Sequence, residues 1–166
     1  LSLRRQRQMC IRDRVDGAGL DEDRQQRLRL GMSLADTYRQ VWSSARGHWR
    51  VSPQTRYIVP SRFGYCPFVF RVAEGGWRRD SFEGSHDRFM AMEGYWIDVE
   101  RERLIHLGAP DPYDAWLPTA RVAAEAPTEE DLAVARVLSG KIIALGAGQK
   151  NITIRLRQKN RTLNFD

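Results

Sequence analysis

Cysteine is scarce in this chain, which holds only Cys10 and Cys66. Two thiols allow one bridge at most, and no C-x-x-C pair is present, so a disulfide framework is excluded. A reducing, cytoplasmic location is the expectation that follows. Histidine is nearly as scarce, with three residues. His48, His86 and His106 fall in no H-x-x-x-H or H-E-x-x-H spacing, so no metal site is expected from them. His86 and Asp87 are adjacent, and adjacent residues of a strand point to opposite faces, which argues against a base–orienter pair. No apolar run approaches the roughly 20 residues that span a bilayer, and no secretory apolar region is expected at the start. No membrane partner is expected. The G-x-S-x-G signature of serine hydrolases is absent. Gly146-Ala147-Gly148 begins a dinucleotide-type pattern, but Asn151 stands where its third glycine belongs. A strand pattern follows, whereas a pyrophosphate needs a helix N-terminus there. Gly140-Lys141 lacks the earlier glycine and the hydroxyl residue of a phosphate loop. No catalytic residue, cofactor or metal is assigned.

Arginine is what the chain has in plenty, with 24 residues against three lysines. The formal net charge is +6 and the pI about 9.8, which points to an anionic partner. Much of that charge sits at the start. Residues 1–14 carry five arginines and one aspartate. Met9 to Arg14 and the opening Leu1-Ser2-Leu3 resemble two translated pieces of a transposase-type sequencing adapter. Residues 1–14 are therefore read as an artefact or a disordered arm, outside the fold. Without them the remainder carries +2, divided as −3 over residues 15–140 and +5 over 141–166. The cationic character is local and C-terminal.

The 166 residues suit a single domain over 15–166, large enough to bury a core without disulfides or metal. Ser33 is placed to cap a helix over 33–46, with Asp36 at its third position. Leu34, Tyr38, Val41, Trp42 and Ala45 form its apolar stripe, and Gly47 stops it. Tyr57 to Val59, Pro67 to Val72 and Arg88 to Met92 have strand character. Tyr95 to Val99 and Arg103 to Leu107 read as a hairpin. Residues 108–127 hold four prolines and read as a long connection. Thr128 caps a second helix over 129–139, with Glu129, Glu130 and Asp131 at its positive end. Ile142 to Leu145 and Ile152 to Arg157 are further strands, the latter strictly alternating. The pattern predicts an α+β fold: a small curved mixed β-sheet or partly closed barrel flanked by two helices.

The functional candidates lie in two groups. Arg155 and Arg157 share one strand face, with Gln149, Lys150 and Asn151 at its entrance. Such cations neutralise phosphates with counterion release, and the amides can read base edges. Trp49 and Trp77 are candidates to stack on unpaired bases, with core packing as the alternative use of each. The expected function is a non-catalytic nucleic-acid-binding domain, with DNA or RNA as partner. Two alternatives stand beside it. One is a metal-dependent hydrolase of nucleic acid using Asp98, Glu100 or Asp111. The other is a structural or protein-interaction module built on the proline-rich 108–127 stretch. Cys66, between Tyr65 and Pro67, reads as a buried structural thiol.

Several short segments resemble an uncharacterised group of small bacterial proteins with PUA-like or EVE-like barrels. They are Ser44 to Ser52, Val69 to Val72 with Trp77, Arg88 to Gly94, Gly140-Lys141 and Gly146 to Asn151. The resemblance implies a small barrel that holds a base or RNA in a cleft. Residues 95–127 depart from it as an insertion.

Overall fold

A computed structural model describes residues 35–47, 49–61, 64–79 and 88–143. These form two helices and nine short strands, an α+β arrangement as expected. The strands are β1 (Tyr57–Ile58), β2 (Tyr65–Cys66), β3 (Phe70–Val72), β4 (Trp77–Arg79), β5 (Phe89–Ala91), β6 (Gly94–Asp98), β7 (Arg103–Pro110), β8 (Pro118–Val122) and β9 (Lys141–Ile142). The helices are α1 (Tyr38–Ala45) and α2 (Glu129–Leu138). The main sheet runs β1-β3-β6-β7-β8, and β2-β9 and β4-β5 are separate two-stranded pairs. Every pairing is antiparallel. The sheet is open, with β1 and β8 at its edges, so neither the mixed sheet nor the barrel closure allowed from the sequence occurs among the described strands.

Alternation along the strands gives the main sheet two apolar faces, and each helix covers one. Ile58, Phe70, Val72, Ile105 and Leu107 pack with Val41, Trp42 and Ala45 of α1. Val69, Ile97 and Leu104, shifted by one position, pack with Val134, Ala135 and Leu138 of α2. Tyr38 of α1 stacks on Trp96 at 4.3 Å between ring centroids, and Trp42 lies tilted on Phe70 at 5.4 Å. Trp42 is wholly buried, and its ring lies over Gly94 on β6. A Cβ at Gly94 would come within 2.4 Å of the Trp42 ring and 2.7 Å of the Arg71 carbonyl. No side chain fits there, which is why the start of β6 is glycine.

Helix α2 begins where its sequence says. Thr128 is the cap; its hydroxyl accepts from the Asp131 N–H while the Asp131 carboxylate accepts from the Thr128 N–H. Helix α1 starts later than Ser33. Its cap is Thr37, in a reciprocal box with Gln40. The sequence holds two spacings of the same kind, Ser33 with Asp36 and Thr37 with Gln40, and the second closes the helix end.

The 108–127 stretch is not a loose connection. β7 continues to Pro110, and β8 begins at Pro118 opposite it. Prolines fit at strand ends, here Pro118 on the edge strand β8 and Pro110 past the last residue of β7 paired with β6, where a missing N–H costs little. The loop between them is tied to α1. Arg39 donates to the Pro118 carbonyl at 2.8 Å and pairs with Asp111, and Ser43 donates to the Trp116 carbonyl at 2.8 Å. The Tyr113 N–H and the Arg39 guanidinium together hold the Asp111 carboxyl below its ordinary range.

Candidate nucleic-acid interface

Helix α1 is capped at its C-terminus by Arg46, and Trp49 lies just beyond it. Trp49 pairs with Phe89 across two backbone hydrogen bonds, Trp49 N–H to Phe89 carbonyl at 2.9 Å and the reverse at 2.8 Å. β5 pairs on its other side with β4, Phe89 facing Arg79, Met90 facing Arg78 and Ala91 facing Trp77. One transverse row therefore reads Arg79–Phe89–Trp49. Arg79 lies over the Phe89 ring at 5.9 Å from its centroid, a cation–π placement. Arg78 points to the opposite face of the ribbon by strand alternation.

Charge is what distinguishes this corner. Six arginines elsewhere are matched by carboxylates: Arg39 with Asp111, Arg56 with Glu130, Arg71 with Glu125 and Asp131, Arg101 and Arg103 with Asp98, and Arg136 with Glu102. Among the described residues no carboxylate pairs with Arg46, Arg78 or Arg79. Burial and the positive charge of Arg78 both lower the pKa of the Arg46 guanidinium. Its Nε is buried without a hydrogen-bond partner. Its place at the C-cap of α1 offsets part of that cost, because the last carbonyls of a helix favour a cation. The carboxylates of the β4–β5 connection, Asp80, Glu83 and Asp87, lie outside the described residues.

The residues singled out from the sequence fall as follows. Gln149, Lys150, Asn151, Arg155 and Arg157 lie outside the described residues, as do His48 and His86. Trp49 is half-buried, and its indole N–H donates to the Ala45 carbonyl at the end of α1. Trp77 is half-buried too, packed against the α1-side core with its N–H donating to the Thr55 carbonyl at 2.7 Å. The structure thus brings Trp49 beside Phe89 and Arg79, and turns Trp77 toward the core. Arg46, Arg78, Arg79 and Phe89 were not singled out from the sequence. Arg46 and Arg78 are 32 positions apart in the chain, so only their tertiary proximity could reveal them. The adjacency of Arg78 to Arg79 was the one visible signal.

Of the carboxylates considered for metal chemistry, Asp98 and Asp111 have other partners and Glu100 is exposed. Asp98 is buried and accepts from Arg103 Nε at 2.9 Å across the β6–β7 hairpin. Asp111 pairs with Arg39. Among the described residues no group of three His, Cys, Asp or Glu side chains is placed to hold a metal ion. His106 Nε2 lies 3.8 Å from a Glu93 oxygen.

A second polar cluster fastens α2. The register aligns Tyr57, Arg71, Tyr95, His106 and Arg121 in one row across all five strands. Arg71 reaches Asp131 at 2.9 Å and Glu125 at 2.6 Å, and lies over the Tyr95 ring at 4.5 Å. The Tyr57 hydroxyl donates to Asp131 at 2.8 Å. Burial, then the bond to Asp131, pushes the Tyr57 phenol far above its ordinary range. For Asp131, burial pulls its carboxyl upward; the Thr128 N–H, the Tyr57 and Thr128 hydroxyls and Arg71 outweigh it and hold the pKa low.

Cys66 is wholly buried, and burial pushes its thiol up to about 11. The thiolate is the reactive form. At pH 8 Cys66 is therefore expected to resist alkylation by iodoacetamide in the folded protein and to react once urea unfolds it. Peptide mass mapping of Cys66 reads this apart from Cys10; rapid labelling of Cys66 in the native state would contradict the packing described.

Among the described residues no helix is long and apolar enough to cross a membrane. No protein-family model, curated protein or solved structure matches this chain.

Proposed function

We propose that this protein is a non-catalytic nucleic-acid-binding domain, acting on DNA or RNA in the cytoplasm. The observation that carries the reading is the clustering of Arg46 and Arg78, with Arg79 next to it in the chain, without carboxylate partners among the described residues, where six other arginines are matched. Guanidinium groups left unpaired at one corner suit phosphate oxygens, which they bind with charge-assisted hydrogen bonds. Charges on an edge strand such as β4 also deter pairing with other chains. That role asks nothing of Arg46, which lies on no strand edge. The cationic segment holding Lys150, Arg155 and Arg157 supports the same reading from the sequence. The resemblance to PUA-like proteins is a further support.

The test is fluorescence anisotropy of labelled DNA and RNA oligonucleotides, titrated in salt. The double charge reversal Arg78→Glu, Arg79→Glu is expected to weaken binding and to flatten the log–log salt dependence by about 1.4–1.8 units, the loss of two phosphate contacts. Arg78 and Arg79 are exposed, so the fold should be unaffected. An unchanged slope would sink the proposed surface, and no binding at low salt would sink the function.

A further inference from the structure

Phosphate contacts alone do not distinguish a duplex from a single strand. The row Arg79–Phe89–Trp49 does. It sets a cation and two aromatic rings side by side on one face of the ribbon, in neighbouring strand positions. Strands sit about 4.8 Å apart, so the three side chains leave the same face in neighbouring rows. Phe89 and Trp49 are both half-buried, so each keeps part of its surface exposed. Trp49 is held in place by its N–H bond to the Ala45 carbonyl, and Phe89 by the β4–β5 pairing. Rigid rings lose little freedom when a planar group lands on them. In a duplex the base faces are stacked on one another and closed to such rings. In a single strand they are free, and every base has a π-face to offer. Arg79 at the end of the row supplies a cation over the edge of the Phe89 ring, and Arg78 on the reverse face supplies charge for the backbone as it passes the ribbon edge.

We infer that the ligand is unpaired, single-stranded nucleic acid, with bases stacked on Phe89 and Trp49 and phosphates held by Arg79 and Arg78. This rests on the nucleic-acid reading above. It assigns Phe89 a binding role and leaves Trp77 to the core.

The full-length protein is titrated by anisotropy against a labelled 15-mer of thymidine, a 15-base-pair duplex, and the 15-mer in competition with inorganic polyphosphate. The single strand is expected to bind at least tenfold tighter than the duplex. Phe89→Leu is expected to weaken single-strand binding by roughly 5- to 150-fold, the range for one stacked base, while the inhibition constant of polyphosphate read from the competition is unchanged. Phe89→Tyr, which keeps the ring, is expected to bind within about threefold of the parent, and an unchanged inhibition constant of polyphosphate in Phe89→Leu separates lost stacking from a fold defect. Equal affinity for single strand and duplex, both lost in the Arg78→Glu, Arg79→Glu protein, overturns the single-strand inference and leaves nucleic-acid binding standing. Retained single-strand affinity in Phe89→Leu overturns the stacking role. No binding of either oligonucleotide at low salt overturns both.

Discussion

Replacing Trp42 with alanine is expected to cost about 3–5 kcal/mol of folding stability, the range for emptying a core aromatic site. Trp42 joins α1 to the main sheet: it is fully buried, rests on Phe70 and fills the space that Gly94 leaves open. Its indole N–H is also buried with no partner, which costs about 1–3 kcal/mol. Trp42→Phe is therefore expected to cost clearly less than Trp42→Ala, because it removes the orphaned donor while keeping most of the ring. The converse substitution, Gly94→Ala, drives a methyl group into the ring and into the Arg71 carbonyl, and is expected to cost about 3 kcal/mol. Phenylalanine at 42 withdraws the atoms nearest Gly94 but leaves that carbonyl in place. The double variant should thus recover part of the Gly94→Ala loss and not all of it. Urea denaturation of the four proteins gives the coupling directly. Strict additivity would show that the two positions do not meet.

The second large effect is expected at Asp131. Its carboxylate takes the Thr128 N–H at 2.9 Å, the Tyr57 hydroxyl at 2.8 Å and Arg71 at 2.9 Å. Asp131→Ala leaves Arg71 without its buried partner and the end of α2 without its box. A loss of about 3–5 kcal/mol is expected, as for breaking one side of a buried pair. Glu125, half exposed, keeps one hold on Arg71 and does not replace the buried one. The effect has a definite pH sign. A carboxyl whose folded pKa lies below its unfolded value, about 3.9, stabilises fully above that value. The contribution drains away as pH falls through the lower, folded pKa. The gap in melting temperature between the parent and Asp131→Asn should therefore be wide and flat from pH 5 to 7, and should narrow below about pH 4. A gap independent of pH down to 2 would show that the carboxylate charge contributes nothing.

Both effects concern parts of the fold that the sequence made legible to different degrees. Helix α2 was readable to within one residue, because its cap, its acidic first turn and its glycine stop are all local chemistry carried by Thr128, Glu129 to Asp131 and Gly140. The β6–β7 hairpin was readable for the same reason, since alternation on both arms converges on one short turn. The stripe Val41, Trp42, Ala45 was right although the cap was misplaced from Thr37 to Ser33, since the apolar period does not depend on where a helix starts. β4 is not legible in the sequence because Trp77-Arg78-Arg79 shows no apolar alternation and becomes a strand only by pairing with β5. β8 was obscured by its prolines, which read as a break until the register places Pro118 opposite Pro110 at the sheet edge.

By itself, then, the sequence determined the class of fold, the helix faces and the absence of recognisable catalytic or nucleotide-binding motifs, because each of these is written in neighbouring residues. Which charges stay unmatched is a different kind of property. Arg71 and Arg78 are alike on paper, yet Arg71 lies between Glu125 and Asp131 while the charge of Arg78 is felt at Arg46. Coulomb interactions depend on distance through space, and only tertiary structure fixes those distances. The same holds for Trp49 and Trp77: one stands in a row with Phe89 and Arg79, the other rests against the core, and the chain order of the two tryptophans contains neither fact.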